Sequence, residues 1–306
     1  MNIKLCMCCG KVLSDEKMYW HPSCIKKMFG SYTIPKIDIN EDKIIDDNLT
    51  SGNILTGVQK KFSLDINVRK AHKTISIMNQ EYIIKTQQAN LNNIVYYEWI
   101  GMKLANICGI DTVDCGIIKN NNELLFITKR IDRIDNKKIP MEDFCQLSNS
   151  QTEYKYNGSY EKCYKNVINN YSSYQNIDKL KFYKIVLFSY IIGNTDMHLK
   201  NFSLYEIDNK YQLTPAYDLV PVLMIFNQDE MALSINGKRK HITKNDFYQF
   251  GFNMDIDKKF IDLIHNDFKN CQLKMNDFIN NTDLSGKEKE KFINFINKRI
   301  KELCTL

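Results

Sequence analysis

The stretch that most narrows what this chain can fold into is Ile192 to Leu204, Ile-Gly-Asn-Thr-Asp-Met-His-Leu-Lys-Asn-Phe-Ser-Leu, in which Asp196 and Asn201 lie five residues apart. A carboxylate and an amide at that interval can divide two tasks of phosphoryl transfer. The carboxylate accepts a proton from an attacking hydroxyl, and the amide offers a neutral oxygen to Mg2+. Such a loop needs a second carboxylate to hold the metal from the opposite side, and Asp218 is placed to do so. It ends Leu213-Thr-Pro-Ala-Tyr-Asp218, after a hairpin predicted over Phe202–Ile207 and Lys210–Leu213 with Asp208-Asn209 at its turn. A helix capped by Asp178, with an apolar face at Leu180, Tyr183, Leu187 and Tyr190, delivers the loop. An Asp, a His and an Asn in a polar loop are more often turn formers and caps. The rest of the chain must therefore supply the rest of a site.

At 306 residues and 43% hydrophobic content the chain can bury a sizeable core, in one large domain or two lobes. Its net charge of +6 is modest, and Lys alternates with Asp and Glu, so charge alone does not imply nucleic acid. The first residues lack the apolar core and cleavage site of a signal peptide. The longest apolar run, Ile185–Ile192, is too short to span a bilayer. Ten scattered Cys suit a reducing compartment. The expectation is a soluble, cytoplasmic protein with no membrane contact.

The N-terminus carries a metal-like pattern. Cys6-x2-Cys9 and His21-x2-Cys24 offer three thiolates and one imidazole for a tetrahedral Zn2+, with Cys8 as a competing ligand. Four protein ligands leave no open position, so a zinc here would be structural. The bland alternative is a set of ordinary buried thiols. Ser31–Asn48 reads as a connector. In Thr50–Leu64, Gly52 and Gly57 have the separation of a Walker A loop, but Val58 stands where that loop requires Lys. Ser76–Lys85 reads as a hairpin with Asn79-Gln80 near its turn, placing Lys85 at the end of an apolar strand. A helix over Ile94–Cys108, stopped by Gly109, follows with a stripe at Tyr97, Ile100, Leu104 and Cys108. It carries Glu98, and a strand Lys paired with a Glu on the next helix is a clamp that orients ATP phosphates.

A second hairpin, Asp114–Ile118 with Glu123–Thr128, leads into Thr128–Arg133, where Arg130, Asp132 and Arg133 suit a structural ion-pair network equally well. Pro140–Leu147 reads as a helix start with Glu142 and Asp143 in its first turn. Ser148–Asn176 is rich in Asn, Tyr, Ser and Lys and identifies no ligand. Further on, Met231–Ile235 reads as a strand before Asn236-Gly237. Thr243-x-x-Asp246 begins a helix, and Asp257–Cys271 and Lys287–Leu303 read as amphipathic helices.

The interval from Asp196 to Asn201 is also that of the protein-kinase pattern H-R-D-x-x-x-x-N. Gly193-Asn-Thr-Asp-Met-His-Leu-Lys-Asn-Phe-Ser203 with Leu213-Thr-Pro-Ala-Tyr-Asp218 resembles the signature of the HipA-like serine/threonine kinases of bacterial toxin–antitoxin systems. Gly57-Val-Gln-Lys-Lys61 resembles the Gly-containing loop of that family, with Lys61 as the family Lys and Lys60 at a variable place. The resemblance runs from about Gly57 to the C-terminus. It implies an α+β, bilobal protein-kinase-like fold: a Cys/His segment over 1–30, a small β-rich N-lobe over 31–130 and a larger helical C-lobe over 131–306. It further implies ATP and Mg2+ as cofactors, Asp196 as catalytic base, and Asn201 and Asp218 as metal ligands. The nucleotide would be met by Thr56, Gly57, Val58, Gln59, Lys60, Lys61, Lys85, Glu98, His198 and Tyr217, and by Lys129, Arg130 and Ile131 as a main-chain hinge. His198 would donate to a phosphate or orient the loop.

The short stretch before the Gly-containing loop resembles the HipT type of the HipBST systems. That implies a small HipS-like antitoxin supplying the missing N-terminal subdomain, and a HipB-like helix-turn-helix antitoxin through which any DNA contact is indirect. The protein substrate implied is an aminoacyl-tRNA synthetase. Autophosphorylation is expected at Thr56, with Ser51 second. A small-molecule kinase, or an inactive kinase-like binding module using the Cys/His segment, are the alternatives.

Overall fold

The computed structural model describes residues 4–15, 17–37, 61–69, 72–76, 81–87, 91, 93–120, 123–134, 137–226 and 230–304. The chain divides into two compact units, Met1–Lys103 with Val113–Lys138, and Leu104–Thr112 with Ile139–Leu306. Both contain helices and sheet, which gives the kinase-like α+β class.

The first unit contains α1 (Pro22–Phe29), β1 (Lys36–Ile37), β2 (Lys61–Arg69), β3 (His72–Ser76), β4 (Tyr82–Thr86), most of α2 (Ile94–Ile107), β5 (Cys115–Asn120), β6 (Glu123–Lys129) and the short pair β7 (Arg133–Ile134) and β8 (Lys137–Lys138). Six strands pair in the order β1-β3-β2-β4-β6-β5. The hairpin expected over Ser76–Lys85 does not form. β3 pairs antiparallel with Asp65–Arg69 of β2, and β4 pairs antiparallel with Lys61–Leu64 of the same strand. β3 and β4 therefore run in the same direction, one after the other along a strand long enough to take both. Asn79-Gln80 lies outside the described residues, and without Gly it was a weak turn signal. The hairpin of β5 and β6 does form, in register from Cys115 opposite Thr128 to Asn120 opposite Glu123.

The second unit starts with β9 (Met141–Asp143) and α3 (Phe144–Leu147), then a helical run of α4 (Tyr160–Cys163), a wider turn over Tyr164–Ile168 and α5 (Asn169–Tyr171). It continues with α6 (Gln175–Ile192), β10 (Ser203–Ile207), β11 (Lys210–Leu213), α7 (Val222–Ile225), α8 (Lys244–Phe252), α9 (Lys258–Asn280) and α10 (Gly286–Cys304). β10 lies between β9 and β11. Asp208 and Asn209 have φ of 51° and 59°, the paired left-handed residues of a tight hairpin turn. An aromatic cluster of Phe144, Tyr160, Phe182, Phe202 and Phe250 fixes α6 against β10, with the Phe182 and Phe202 rings 4.8 Å apart at their centroids. Among the described residues no helix is long and apolar enough to cross a membrane.

Three local expectations are corrected here. Met141–Asp143 is a strand rather than a helix start, and Asp143 is the N-cap of α3 in a capping box with Gln146. Asp178 does not cap α6. It is buried in the first turn, where it accepts from Ser172 Oγ (2.6 Å) and from the Leu213 N–H (2.8 Å), tying the helix to β11. Met231–Ile235 forms only isolated bridges at Ser234 and Ile235, because its neighbours in space are single turns and loops. Thr243 does cap α8 in a box with Asp246.

Within the helices of this unit His265 is buried between Tyr183 OH and the Leu303 carbonyl, each 2.8 Å from a ring nitrogen. Burial lowers its pKa from the ordinary range to about 4. The unfolded chain then takes up a proton near pH 6.5 that the folded chain refuses until about pH 4. Folding stability is therefore expected to be complete above pH 6.5 and to fall by about 3 kcal/mol as the pH drops toward 4. Urea titrations of the parent and of His265→Gln at pH 7 and pH 4.5 check this. An equal loss in both chains would mean that other groups carry the acid sensitivity.

Candidate active site

α6 ends at Gly193, whose φ of 75° suits glycine, and a Cβ there would stand 3.0 Å from Leu223 Cβ. The chain then folds back on itself through amide side chains. Asn194 is fully buried. Its Oδ1 accepts from the Asp196 N–H and its Nδ2 donates to the Asp218 carbonyl, each at 3.3 Å. Asn201, also buried, donates Nδ2–H to the Asp196 carbonyl at 2.8 Å, which turns its amide oxygen the other way. The His198 N–H reaches that same carbonyl at 2.9 Å. The Asp196 residue itself is exposed. Asp218 has φ of 54°, the left-handed conformation that Asp and Asn adopt more readily than other residues with a side chain. Asp196, Asn201 and Asp218 thus belong to one hydrogen-bonded assembly with Asn194 as its bridge.

Tyr217 braces the base of this loop. Its hydroxyl donates to the Lys200 carbonyl (3.0 Å) and lies 2.7 Å from Ser203 Oγ, and burial pushes the phenol well up. Lys200 in turn pairs with Asp143 at 2.7 Å.

The segment leading into α4, with the first residue of that helix, was left without a role by the sequence and clamps the loop. Tyr156 OH donates to Asp196 Oδ1 at 2.6 Å, and Tyr160 OH donates to the Met197 carbonyl at 2.8 Å. The Leu199 N–H bonds the Lys155 carbonyl (3.1 Å), and the Tyr156 ring meets His198 edge-on at 5.0 Å. Burial and the adjacent Asp196 charge both push the Tyr156 phenol up, so it remains a donor at all ordinary pH. No local signal marks Tyr156, because its partner is forty residues away. Tyr156→Phe removes a charge-assisted bond from a half-buried site and is expected to lower stability by about 1–2 kcal/mol without changing the denaturant slope. Unfolding in urea measures it.

In the first unit Lys85, near the end of β4, forms an ion pair with Glu98 of α2, Nζ to Oε1 2.5 Å, with both residues buried. The Lys85 ammonium also stands 5.5 Å from the Phe126 ring centroid. Lys61 opens β2 directly opposite Lys85 in the ladder. Thr56, Gly57, Val58, Gln59 and Lys60, and Ser51 with them, lie outside the described residues. In the Lys129–Ile131 stretch the Lys129 N–H bonds the Asp114 carbonyl and the Arg130 N–H the Glu81 carbonyl, each at 2.8 Å, so these two donors serve the sheet. Asp132 receives Arg130 Nε and Nη2 at 2.8 Å each and Arg133 Nη1 at 2.5 Å. Burial opposes ionisation of Asp132, and the hydrogen bonds and positive charges of Arg130 together with the charge of Arg133 outweigh it, holding the carboxyl below its usual range. Arg130, Asp132 and Arg133 thus form an ion-pair network. Cys6, Cys9, His21 and Cys24 come together, their ligand atoms all within 4.8 Å of one another, and Cys8 is not one of the four.

Residues 54–280 match the HipA-like C-terminal domain, well over half of the 306 residues. The chain belongs to the HipA-like C-terminal domain family. Among similar proteins, putative kinase Y4dM of Sinorhizobium fredii is 27% identical over 227 residues, covering 68% of this chain and 55% of the relative. The serine/threonine-protein kinase toxin HipA of Shewanella oneidensis is 24% identical over 205 residues, covering 60% of this chain and 46% of HipA. In structure, HipA from the Shewanella oneidensis complex of HipA, HipB and operator DNA superposes with a TM-score of 0.67 at 18% identity, over 83% of this chain and 65% of that one. The chain thus spans about half the length of these two relatives.

Proposed function

We propose that this HipA-like chain is an ATP- and Mg2+-dependent protein serine/threonine kinase, the toxin of a bacterial toxin–antitoxin system. The observation that carries the reading is the linked set of Asp196, Asn201 and Asp218, held by Asn194 and Tyr156 with one carboxylate exposed. The donor set fits Mg2+. An amide oxygen at Asn201 and a carboxylate at Asp218 are the hard ligands this ion prefers, and the Asn201 nitrogen is already committed to the Asp196 carbonyl. When bound with ATP, Mg2+ neutralises charge on the transferred phosphoryl group.

The side chains of the protein do the rest. Asp196 accepts the proton of the substrate hydroxyl on the carboxylate oxygen that Tyr156 does not occupy, while Tyr156 holds the other. Lys85, oriented by Glu98, serves the ATP phosphates. Lys61, the 56–60 stretch, His198 and Tyr217 are assigned to the same nucleotide, as are the main-chain groups of Lys129, Arg130 and Ile131 other than the two N–H donors used by the sheet.

The remaining assignments follow the family resemblance. The substrate is an aminoacyl-tRNA synthetase. A small HipS-like protein and a HipB-like DNA-binding antitoxin are the partners, the protein acts in the cytoplasm, and Thr56 is the autophosphorylation site. Phosphate at Thr56 would add about −1.5 to −2 charges beside the ATP phosphates and inhibit. The test is γ-labelled ATP with Mg2+ in a bacterial lysate. The parent should label itself or a discrete lysate protein and Asp196→Asn should label neither. If the parent binds ATP yet labels nothing, or labels only small molecules, the reading fails. Thr56→Ala should lose the autophosphorylation signal, and undiminished labelling would move the site elsewhere.

A further inference from the structure

We infer that Cys6, Cys9, His21 and Cys24 bind one Zn2+ in a closed, structural site that fastens the N-terminal segment over the edge strand of the first unit's sheet.

The local geometry is that of a knuckle. The Gly10 N–H returns to the Cys6 carbonyl (2.8 Å) with Gly10 at φ of 73°, which brings Cys6 and Cys9 to one side of a tight turn closed by a bridge between Leu5 and Val12. His21 and Cys24 stand one helical turn apart at the start of α1, where Pro22 occupies the first helical position. His21 Nδ1 lies 3.3 Å from Cys9 Sγ and 3.9 Å from Cys24 Sγ. A tetrahedron with Zn–S of ~2.3 Å and Zn–N of ~2.0–2.1 Å has an N–S edge of about 3.5 Å, so the two separations lie within about 0.4 Å of it and a small closure of the four ligands completes the site.

Two outer contacts select the metal-binding form of the ligands. His21 Nε2 lies 3.2 Å from the Val12 carbonyl, which can only accept. The ring proton is therefore on Nε2, and Nδ1 presents its lone pair to the sulfurs. The His21 N–H points at Cys6 Sγ (3.3 Å), a bond that a thiolate ligand accepts. With four protein ligands there is no open position for catalysis.

The knuckle reaches the sheet through Ile117 of β5. The Ile117 N–H donates to the Met7 carbonyl (3.0 Å), between Cys6 and the other knuckle thiols, and the Ile117 carbonyl accepts from Trp20 Nε1 (2.8 Å), next to His21. Gly116 makes room, since a Cβ there would collide with the Trp20 ring and lie 2.9 Å from the Met7 oxygen. α1 adds Tyr82 OH to the Met28 carbonyl (2.6 Å) and the Phe29 and Tyr82 rings at 5.8 Å. Both outward groups of an edge-strand residue are thus satisfied by residues adjacent to metal ligands, and the edge is covered.

The full-length protein, expressed with zinc in the medium and desalted, is expected to carry one zinc per chain by elemental analysis. Exchanged Co2+ should give the visible absorption of a tetrahedral thiolate site. Cys9→Ser/Cys24→Ser should carry none, whereas Cys8→Ser should keep full content. Removing the metal with a chelator should speed amide exchange at Ile117 by about tenfold or more while leaving Phe188 in the second unit unchanged. A parent chain that binds neither metal would overturn the site even if the double variant fails to fold. Zinc retained by the double variant would overturn the ligand set, and an Ile117 amide indifferent to the chelator would overturn the fastening role.

Discussion

Asp196→Asn is expected to slow phosphate transfer by about 10²–10⁴-fold while leaving the fold and ATP binding intact. The structure explains why the two effects separate. The bonds that shape the loop go to the main chain of residue 196, its carbonyl to Asn201 and His198 and its N–H to Asn194, and these do not depend on the side chain. Tyr156 OH can still donate to an amide oxygen at the same place. What disappears is the carboxylate proposed to take the proton. Stability should therefore fall by no more than about 1 kcal/mol, the loss of charge assistance in the Tyr156 bond. Urea unfolding, ATP binding and single-turnover labelling, run side by side, test the separation. Transfer at the parental rate would show that the base is another residue.

Lys85→Met should have the largest effect on stability. Lys85 is 4% exposed and Glu98 0%, and removing the cation leaves a carboxylate in a site from which water is excluded. Breaking a buried pair in this way costs about 3–5 kcal/mol, and Glu98→Gln should be damaging for the converse reason. The double variant Lys85→Met/Glu98→Leu removes both charges and should regain most of that loss, since a packed apolar pair of similar volume is often as stable as the ion pair it replaces. It should nevertheless remain inactive, because the cation proposed to orient the ATP phosphates is gone. A stability cycle on the four chains reads the coupling directly. Losses below about 1 kcal/mol in either single variant would mean that the ion pair is open in solution.

What was legible in the sequence was mostly local. The interval from Asp196 to Asn201, the Asp208-Asn209 turn and the Thr243 capping box are each set within a few residues, so the pattern and its partner lie in the same window. Lys85 and Glu98 were legible because a strand and the next helix bring them together over a short connection. Errors arose where a residue of familiar local type has a distant partner. Asp178 has the composition of a cap, but its bond to the Leu213 N–H, thirty-five residues on, makes it an internal tie. Met231–Ile235 reads as a strand before Asn236-Gly237, yet among the described residues it makes only isolated bridges. Asn194 stood inside the motif without a role, since its function depends on the Asp218 carbonyl twenty-four residues later.

The cover over β5 also sets an order of events during synthesis. Trp20 and its acceptor at Ile117 are 97 residues apart. At ~5–20 residues per second the ribosome needs about 5–20 s to make the second after the first. The four knuckle ligands, by contrast, lie within the first 24 residues and need nothing that follows. A knuckle closed on metal would wait, already shaped, for the strand it covers, and that strand would meet its lid as soon as it emerged, before its bare edge could pair with another nascent chain.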